Sequence, residues 1–129
     1  MKKNKIVILG AGESGVGTAI LGKKKGFEVF VSDSGKIKKK YKQVLLHHEI
    51  NWEEEAHSET KILSAGIVMK SPGIPENTPV VLKLKKKGVR IVSEIEFAAT
   101  YTSATLIGIT GSNGKTTVAT MIHKILKDA

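Results

Sequence analysis

Glycine, lysine and threonine residues near the end of the chain have the types and spacing of a phosphate-binding loop. In the segment Thr110-Gly-Ser-Asn-Gly-Lys-Thr-Thr117, the glycines let successive backbone N–H groups converge on an anion. Lys115 can reach the terminal phosphates of a nucleoside triphosphate, and the hydroxyl of Thr116 can bind Mg²⁺. The first glycine of the usual pattern G-x-x-x-x-G-K-[ST] would fall at Ile109, so this loop is a variant. We expect ATP and Mg²⁺ as ligands.

A second glycine loop lies near the start of the chain, directly after the apolar run of residues 6–9. Its sequence, Gly10-Ala-Gly-Glu-Ser-Gly15, matches G-x-G-x-x-G, in which glycines allow a tight turn and let a phosphate approach the backbone. Asp33 follows 23 residues after Gly10, where its carboxylate could accept hydrogen bonds from a ribose or a base. From the residues alone, the loop indicates a dinucleotide site or a turn needed only for packing.

A third loop, Ser71-Pro-Gly-Ile74, follows another predicted strand and should lie at the same carboxyl-end rim of the sheet. Pro72 restricts the backbone, Gly73 removes side-chain bulk, and Ser71 offers a hydroxyl group. Taken by itself, this sequence is also typical of an ordinary turn.

Short apolar segments alternate with amphipathic ones along the first hundred residues. Strands are predicted at residues 5–9, 28–32, 50–52, 66–70 and 89–92. Helices are predicted at residues 14–25, 36–48, 59–63, 79–87 and 93–100, the last beginning with a capping box of Ser93 and Glu96. This alternation predicts an α/β fold, a Rossmann-like parallel sheet with helices on both faces.

A new unit is predicted to begin after residue 101. It would contain a strand at residues 105–110, the phosphate loop, and a helix to the end whose apolar stripe has little to pack on. A nucleotide-binding sheet needs several more strands, yet only residues 118–129 follow the loop. We therefore expect one domain at residues 1–101 and the truncated start of a central ATP-binding domain at residues 102–129.

The composition argues against a nucleic-acid-binding protein, a membrane protein and a histidine metal site. The net charge is +9, but the lysine clusters fall on the polar sides or ends of predicted helices and aromatic residues are only 5%, which argues against nucleic-acid binding. The chain has no cysteine and no apolar run of membrane-spanning length, so a cytoplasmic protein without a membrane partner is expected. His47, His48 and His57 are interpreted as solvated rather than metal-binding, and Trp52 as a packing residue.

Together these loops resemble those of the Mur ligases of bacterial peptidoglycan synthesis. The matching segments, which run through nearly the whole chain, are Gly10–Gly15, Asp33, Ser71–Ile74, the run Ser-Glu-Ile-Glu-Phe97 and Ile109–Thr117. The likeness is greatest to members that add D-glutamate to UDP-N-acetylmuramoyl-L-alanine. The wider Mur and folylpolyglutamate ligase group also uses this variant loop, which explains the absence of a glycine at position 109.

The resemblance implies roles for individual residues. The first domain would hold the UDP of the substrate, with its diphosphate at Gly12, Glu13, Ser14 and Gly15, its uracil or ribose at Asp33 and Ser34, and Ser71, Pro72 and Gly73 closing over the nucleotide. ATP would lie at Gly111, Ser112, Asn113, Gly114, Lys115, Thr116 and Thr117. Lys115 and Thr116 would be the catalytic residues, with Thr116 binding Mg²⁺.

The resemblance implies a reaction that proceeds through an acyl phosphate. It also implies a role in cell-wall biogenesis, cell shape and cell division. The family's remaining Mg²⁺ ligands and its amino-acid-binding domain would lie beyond Ala129, so the fragment alone should be inactive. The parent is expected to be monomeric. Two alternatives remain: another ligase of the Mur or folylpolyglutamate type, and an NAD-binding regulatory Rossmann module.

Overall fold

The computed structural model describes residues 2–129, with side chains described from residue 4 onward. The strands are β1 (Lys2–Leu9), β2 (Glu28–Ser32), β3 (Asn51–Glu53), β4 (Ala65–Lys70) and β5 (Arg90–Val92). The helices are α1 (Glu13–Lys24), α2 (Lys39–His47), α3 (Glu59–Ile62), α4 (Pro79–Lys86), α5 (Glu94–Ala99) and α6 (Lys115–Asp128). All five strands are parallel and lie in the order β3-β2-β1-β4-β5, so β1 is central.

Strand β1 is buried on both faces of the sheet, because Ile6, Val7, Ile8 and Leu9 have no exposed surface. Successive side chains of a strand point to opposite faces, so Ile6 and Ile8 lie in one hydrophobic cluster and Val7 and Leu9 in the other. Helices α1, α2 and α5 contribute buried residues to the first cluster, and α3 and α4 contribute to the second. The predicted Rossmann-like α/β fold is confirmed.

The elements predicted for the first hundred residues are all present, with ends shifted by three residues at most. The capping box of α5 is also confirmed. The backbone N–H of Glu96 donates to Ser93 Oγ at 3.1 Å, and the backbone N–H of Ser93 donates to the Glu96 carboxylate at 3.4 Å. Trp52 packs against the first hydrophobic cluster, as expected of a packing residue.

The strand predicted at residues 105–110 is wrong, since this segment has no strand structure. A strand exists only where a neighbour pairs with its backbone N–H and C=O groups, and this segment has no place in the sheet. Leu106 and Ile107 are correspondingly exposed. The apolar sequence that favoured a strand therefore remains in solvent.

The helix predicted after the phosphate loop is present as α6, and the side chains of its apolar stripe are exposed, apart from a partly buried Ile122. Every buried apolar residue of the core lies at or before Phe97. This supports a domain boundary near residue 101, which remains a prediction. In the part of the chain that the structure describes, no helix combines the length and apolar character needed to cross a membrane.

Candidate nucleotide site

The glycine loop of residues 10–15 joins β1 to α1 with very little free space. Gly10 has a φ of +98°, and a Cβ there would lie 2.5 Å from Ser71 Oγ. A Cβ on Gly15 would lie 2.0 Å from the carbonyl oxygen of Gly10, so the helix and the loop touch through their backbones. These two positions require glycine for packing, in agreement with the interpretation of the motif.

Gly12, in contrast, faces open space and leaves the start of α1 accessible. A Cβ on Gly12 would have no neighbour within 4 Å, and Gly12 caps the twelve-residue helix α1 without any side-chain hydrogen bond. Glu13 and Ser14 in the first turn are exposed. Free N–H groups at a helix N-terminus attract anions, so this is where a phosphate group would fit.

Asp33 connects the glycine loop to the loop after β2. Its Oδ2 accepts the backbone N–H of Ala11 at 2.7 Å, and its Oδ1 accepts the backbone N–H of Gly35 at 2.8 Å. Both carboxylate oxygens therefore already have a backbone partner within the protein. Asp33 fixes the position of the glycine loop, a role that the sequence interpretation did not assign to it.

The loop after β4 is held against the same rim. The backbone N–H of Ser71 donates to the carbonyl of Leu9 at 3.0 Å, and Lys70 Nζ donates to the carbonyl of Ile74 at 2.7 Å. Gly73 at its tip has no neighbour within 4 Å of a Cβ. Two of the predicted rim residues, Ser34 and Gly73, line a cavity of about 400 Å³. The other lining residues are His57, Glu59, Ile74, Pro75, Thr78, Pro79 and Val80.

The phosphate-binding loop predicted near the end of the chain, residues 111–117, is fully exposed. Gly111 has a φ of +145° and Gly114 a φ of +78°, and Gly114 caps the fourteen-residue helix α6 without a side-chain hydrogen bond. Lys115 and Thr116 lie in the first turn of that helix. Residues 111–117 thus present a helix N-terminus without a side-chain cap, beside the Lys115 cation and the hydroxyl groups of Ser112, Thr116 and Thr117.

Comparison with known proteins identifies the first part of the chain. A family model described as the MurD N-terminal domain matches residues 5–80. The chain belongs to the MurD N-terminal domain family.

Two relatives of the chain are named UDP-N-acetylmuramoylalanine--D-glutamate ligase. The protein of Christiangramia forsetii is 62% identical over 124 residues, which are 96% of this chain and 28% of that protein. The protein of Bacteroides thetaiotaomicron is 59% identical over 125 residues, or 97% of this chain and 28% of that protein. The chain therefore spans little more than a quarter of the length of these relatives.

Solved structures agree with the fold. A pseudomurein peptide ligase type C from Methanothermus fervidus is similar with a TM-score of 0.64 and 31% identity, covering 96% of this chain and 26% of that one. A murein peptide ligase from Psychrobacter arcticus is similar with a TM-score of 0.71 and 25% identity, covering 95% and 26% of the two chains.

The structure of this chain also contains a polar cluster that the sequence did not reveal. The Ser32 side chain, at the end of β2, has no exposed surface, and its Oγ lies 2.8 Å from Glu53 Oε1 and 2.6 Å from His57 Nδ1. The interpretation of His57 as a solvated residue is wrong, because its ring is partly buried against Ser32 and lines the cavity. Nothing in the spacing of these residues indicates their contact, which depends on β3 lying beside β2.

Glu53 is ionised within this cluster. Burial raises the pKa of its carboxyl group, but hydrogen bonds from Ser58 and Ser32 and the charge of Lys61 outweigh burial, so the pKa lies below its ordinary value. The backbone N–H of Ser58 donates to Glu53 Oε1 at 2.6 Å, and Lys61 Nζ lies 3.5 Å from Oε2. Among the described residues, no group of three or more histidine or acidic side chains is arranged to hold a metal ion.

Proposed function

We propose that this chain is the N-terminal part of an ATP-dependent ligase that adds D-glutamate to UDP-N-acetylmuramoyl-L-alanine in peptidoglycan synthesis. The observation that carries the proposal is the alignment of nearly the whole chain with curated ligases of that name at 62% and 59% identity. Because the chain spans 28% of those proteins, the activity belongs to a longer parent, which we expect to be cytoplasmic and monomeric.

The first domain is proposed to bind the UDP part of the substrate. The open space beside Gly12 and the uncapped start of α1 support a diphosphate at Gly12, Glu13, Ser14 and Gly15. Ser34 and Gly73 line the neighbouring cavity, which supports a base or ribose there. Asp33, Ser71 and Pro72 would complete the nucleotide site at this rim.

The phosphate-binding loop near the end of the chain is proposed to bind ATP through residues 111–117. Gly114 in its left-handed conformation turns the backbone N–H groups of the first turn of α6 toward the phosphates, and Lys115 neutralises part of their charge. Thr116 follows Lys115 directly, and in phosphate loops the hydroxyl of the residue after the lysine binds Mg²⁺.

In the parent, the γ-phosphoryl group of ATP would pass to the alanine carboxylate of the substrate, giving an acyl phosphate and ADP. The amine of D-glutamate would then attack the acyl carbon and release phosphate as the amide forms. Catalysis of phosphoryl transfer depends mainly on positioning and on stabilising the charge of the phosphoryl oxygens. Lys115 and Thr116 are the residues of this chain proposed to contribute to that step.

Calorimetric titration of the 129-residue chain tests the proposed ligand of the first domain. We expect weak binding of UDP and no binding of NADH. Uridine should bind at least roughly threefold more weakly than UDP, because it lacks the diphosphate that would meet the start of α1. Binding of NADH without binding of UDP would instead support an NAD-dependent regulatory module, the alternative favoured by the glycine motif alone.

The chain by itself is expected to release no ADP when given ATP, Mg²⁺, UDP-N-acetylmuramoyl-L-alanine and D-glutamate. Its phosphate loop is exposed and the segment before it forms no strand, so residues 105–117 do not enclose a site for phosphoryl transfer. A coupled ADP assay measures this, with the full-length ligase of Bacteroides thetaiotaomicron as the positive control. ADP release that depends on D-glutamate would contradict the expectation.

A further inference from the structure

The buried hydroxyl of Ser32 determines which nitrogen of His57 carries a proton. Its single proton has three polar neighbours: Glu53 Oε1 at 2.8 Å, the carbonyl of Ala56 at 3.3 Å, and His57 Nδ1 at 2.6 Å. Neither the ionised carboxylate nor the carbonyl can donate, so the hydroxyl must donate toward them. His57 Nδ1 must then donate to Ser32 Oγ, because otherwise two acceptors would face each other.

With Nδ1 protonated, the Nε2 atom of a neutral His57 ring has a free lone pair. Nδ1 is hydrogen-bonded to Ser32 Oγ, while the ring lines the cavity of about 400 Å³. Because Nε2 lies on the side of the ring away from Nδ1, it is the ring atom free to accept a hydrogen bond from a group in the cavity.

This cavity lies between the two loops that are attached to the glycine loop. Ser34, on one side, follows Asp33, which accepts a hydrogen bond from Ala11 in the glycine loop. Gly73 and Ile74, on the other side, belong to the loop whose Ser71 lies against Gly10. A nucleotide whose diphosphate lies at the glycine loop therefore has this cavity beside it for its base.

The lining of the cavity suits a flat base. Apolar side chains that could pack on a ring are accompanied by an equal number of polar ones that could orient it. The apolar residues are Ile74, Pro75, Pro79 and Val80, and the polar ones are Ser34, His57, Glu59 and Thr78. The carboxylate of Glu59, which also lines the cavity, is paired with Lys83 Nζ at 2.5 Å. In a neutral His57 ring with Nδ1 bonded to Ser32, Nε2 is the ring nitrogen open to the ligand.

We propose that His57 is a specificity-determining residue for the base of the nucleotide, with Nε2 accepting the N3–H of uracil. The inference rests on the proposed binding of UDP. Uracil carries an N–H at position 3, whereas the N3 of cytosine has a lone pair that would face the lone pair of Nε2. The hydrogen bonds from His57 to Ser32 and from Ser32 to Glu53 hold the ring in the form that favours uracil.

His57→Asn tests the proposal by removing Nε2 while keeping a side-chain amide that can donate to Ser32. We expect the dissociation constant for UDP to rise roughly three- to tenfold, the range for one hydrogen bond. The preference for UDP over CDP should fall by a similar factor, and this ratio is insensitive to a general loss of stability. His47→Asn, at an exposed position on α2, is the matched control and should leave the ratio unchanged.

These measurements distinguish a failure of the proposed role of His57 from a failure of the proposed UDP binding. If wild-type chain binds UDP and His57→Asn keeps the same UDP-to-CDP ratio, the role of His57 is refuted while UDP binding stands. If wild-type chain binds no UDP, both are refuted. Long-range proton–nitrogen NMR of wild-type chain provides a test without a variant: Nδ1 should be protonated and the Nε2 signal should move on adding UDP. A protonated Nε2 in the neutral ring would refute the proposal.

Discussion

Gly15→Ala is expected to lower the free energy of unfolding by at least about 3 kcal/mol and to abolish measurable UDP binding. The added Cβ would lie 2.0 Å from the carbonyl oxygen of Gly10, and the obstructing atom is backbone rather than a flexible side chain. Helix α1 must therefore move away from the glycine loop, which costs more than ordinary overpacking of a core. Urea unfolding followed by circular dichroism measures the first effect, and calorimetry with UDP measures the second.

Gly17→Ala is the matched control on the same helix. A Cβ at this exposed position has no neighbour within 4 Å, so the substitution should only remove the conformational freedom of a glycine inside a helix. It is expected to raise the free energy of unfolding by about 0.5–1 kcal/mol. If both variants changed stability in the same direction and by the same amount, the close backbone contact between Gly15 and Gly10 would be wrong.

Much of the fold could be predicted because the pattern in the sequence is local. The apolar run of residues 6–9 ends at glycines, and its length and composition favour a buried strand whichever strands lie beside it. The same holds for the capping box at Ser93 and Glu96, whose atoms are three residues apart. Residues 105–110 form no strand despite their apolar residues, since an apolar segment becomes a strand only when another strand is available to pair with it.

The candidate site was less predictable because its contacts cross between strands. The glycine motif revealed the close approach of α1 to the loop, but it could not show that Asp33 faces Ala11 and Gly35. His57 lies in a polar connection of no obvious pattern, 25 residues from Ser32 in sequence. Its contact follows only from the pairing of β2 with β3, which carries the segment after β3 back over the end of β2.

Asp33→Asn is expected to lower the free energy of unfolding by about 1.5–3 kcal/mol and to weaken UDP binding. An asparagine has one acceptor and one donor group, whereas the carboxylate accepts backbone N–H groups on both oxygens, from Ala11 at 2.7 Å and Gly35 at 2.8 Å. One N–H would therefore face an NH₂ group and lose its partner. Hydrogen bonds to a charged group contribute in this range, and the glycine loop would lose an attachment.

Asp128→Asn controls for the loss of one negative charge. Asp128 is exposed near the end of α6 and forms an ion pair with Lys124 at 3.2 Å, so its replacement should change stability by at most about 0.5 kcal/mol. The comparison also separates two roles for Asp33. A fall in UDP affinity without a fall in stability would make Asp33 a ligand-facing residue, whereas loss of stability in the absence of UDP requires the two backbone hydrogen bonds. The second result would mean that the carboxylate positions the glycine loop before any nucleotide arrives.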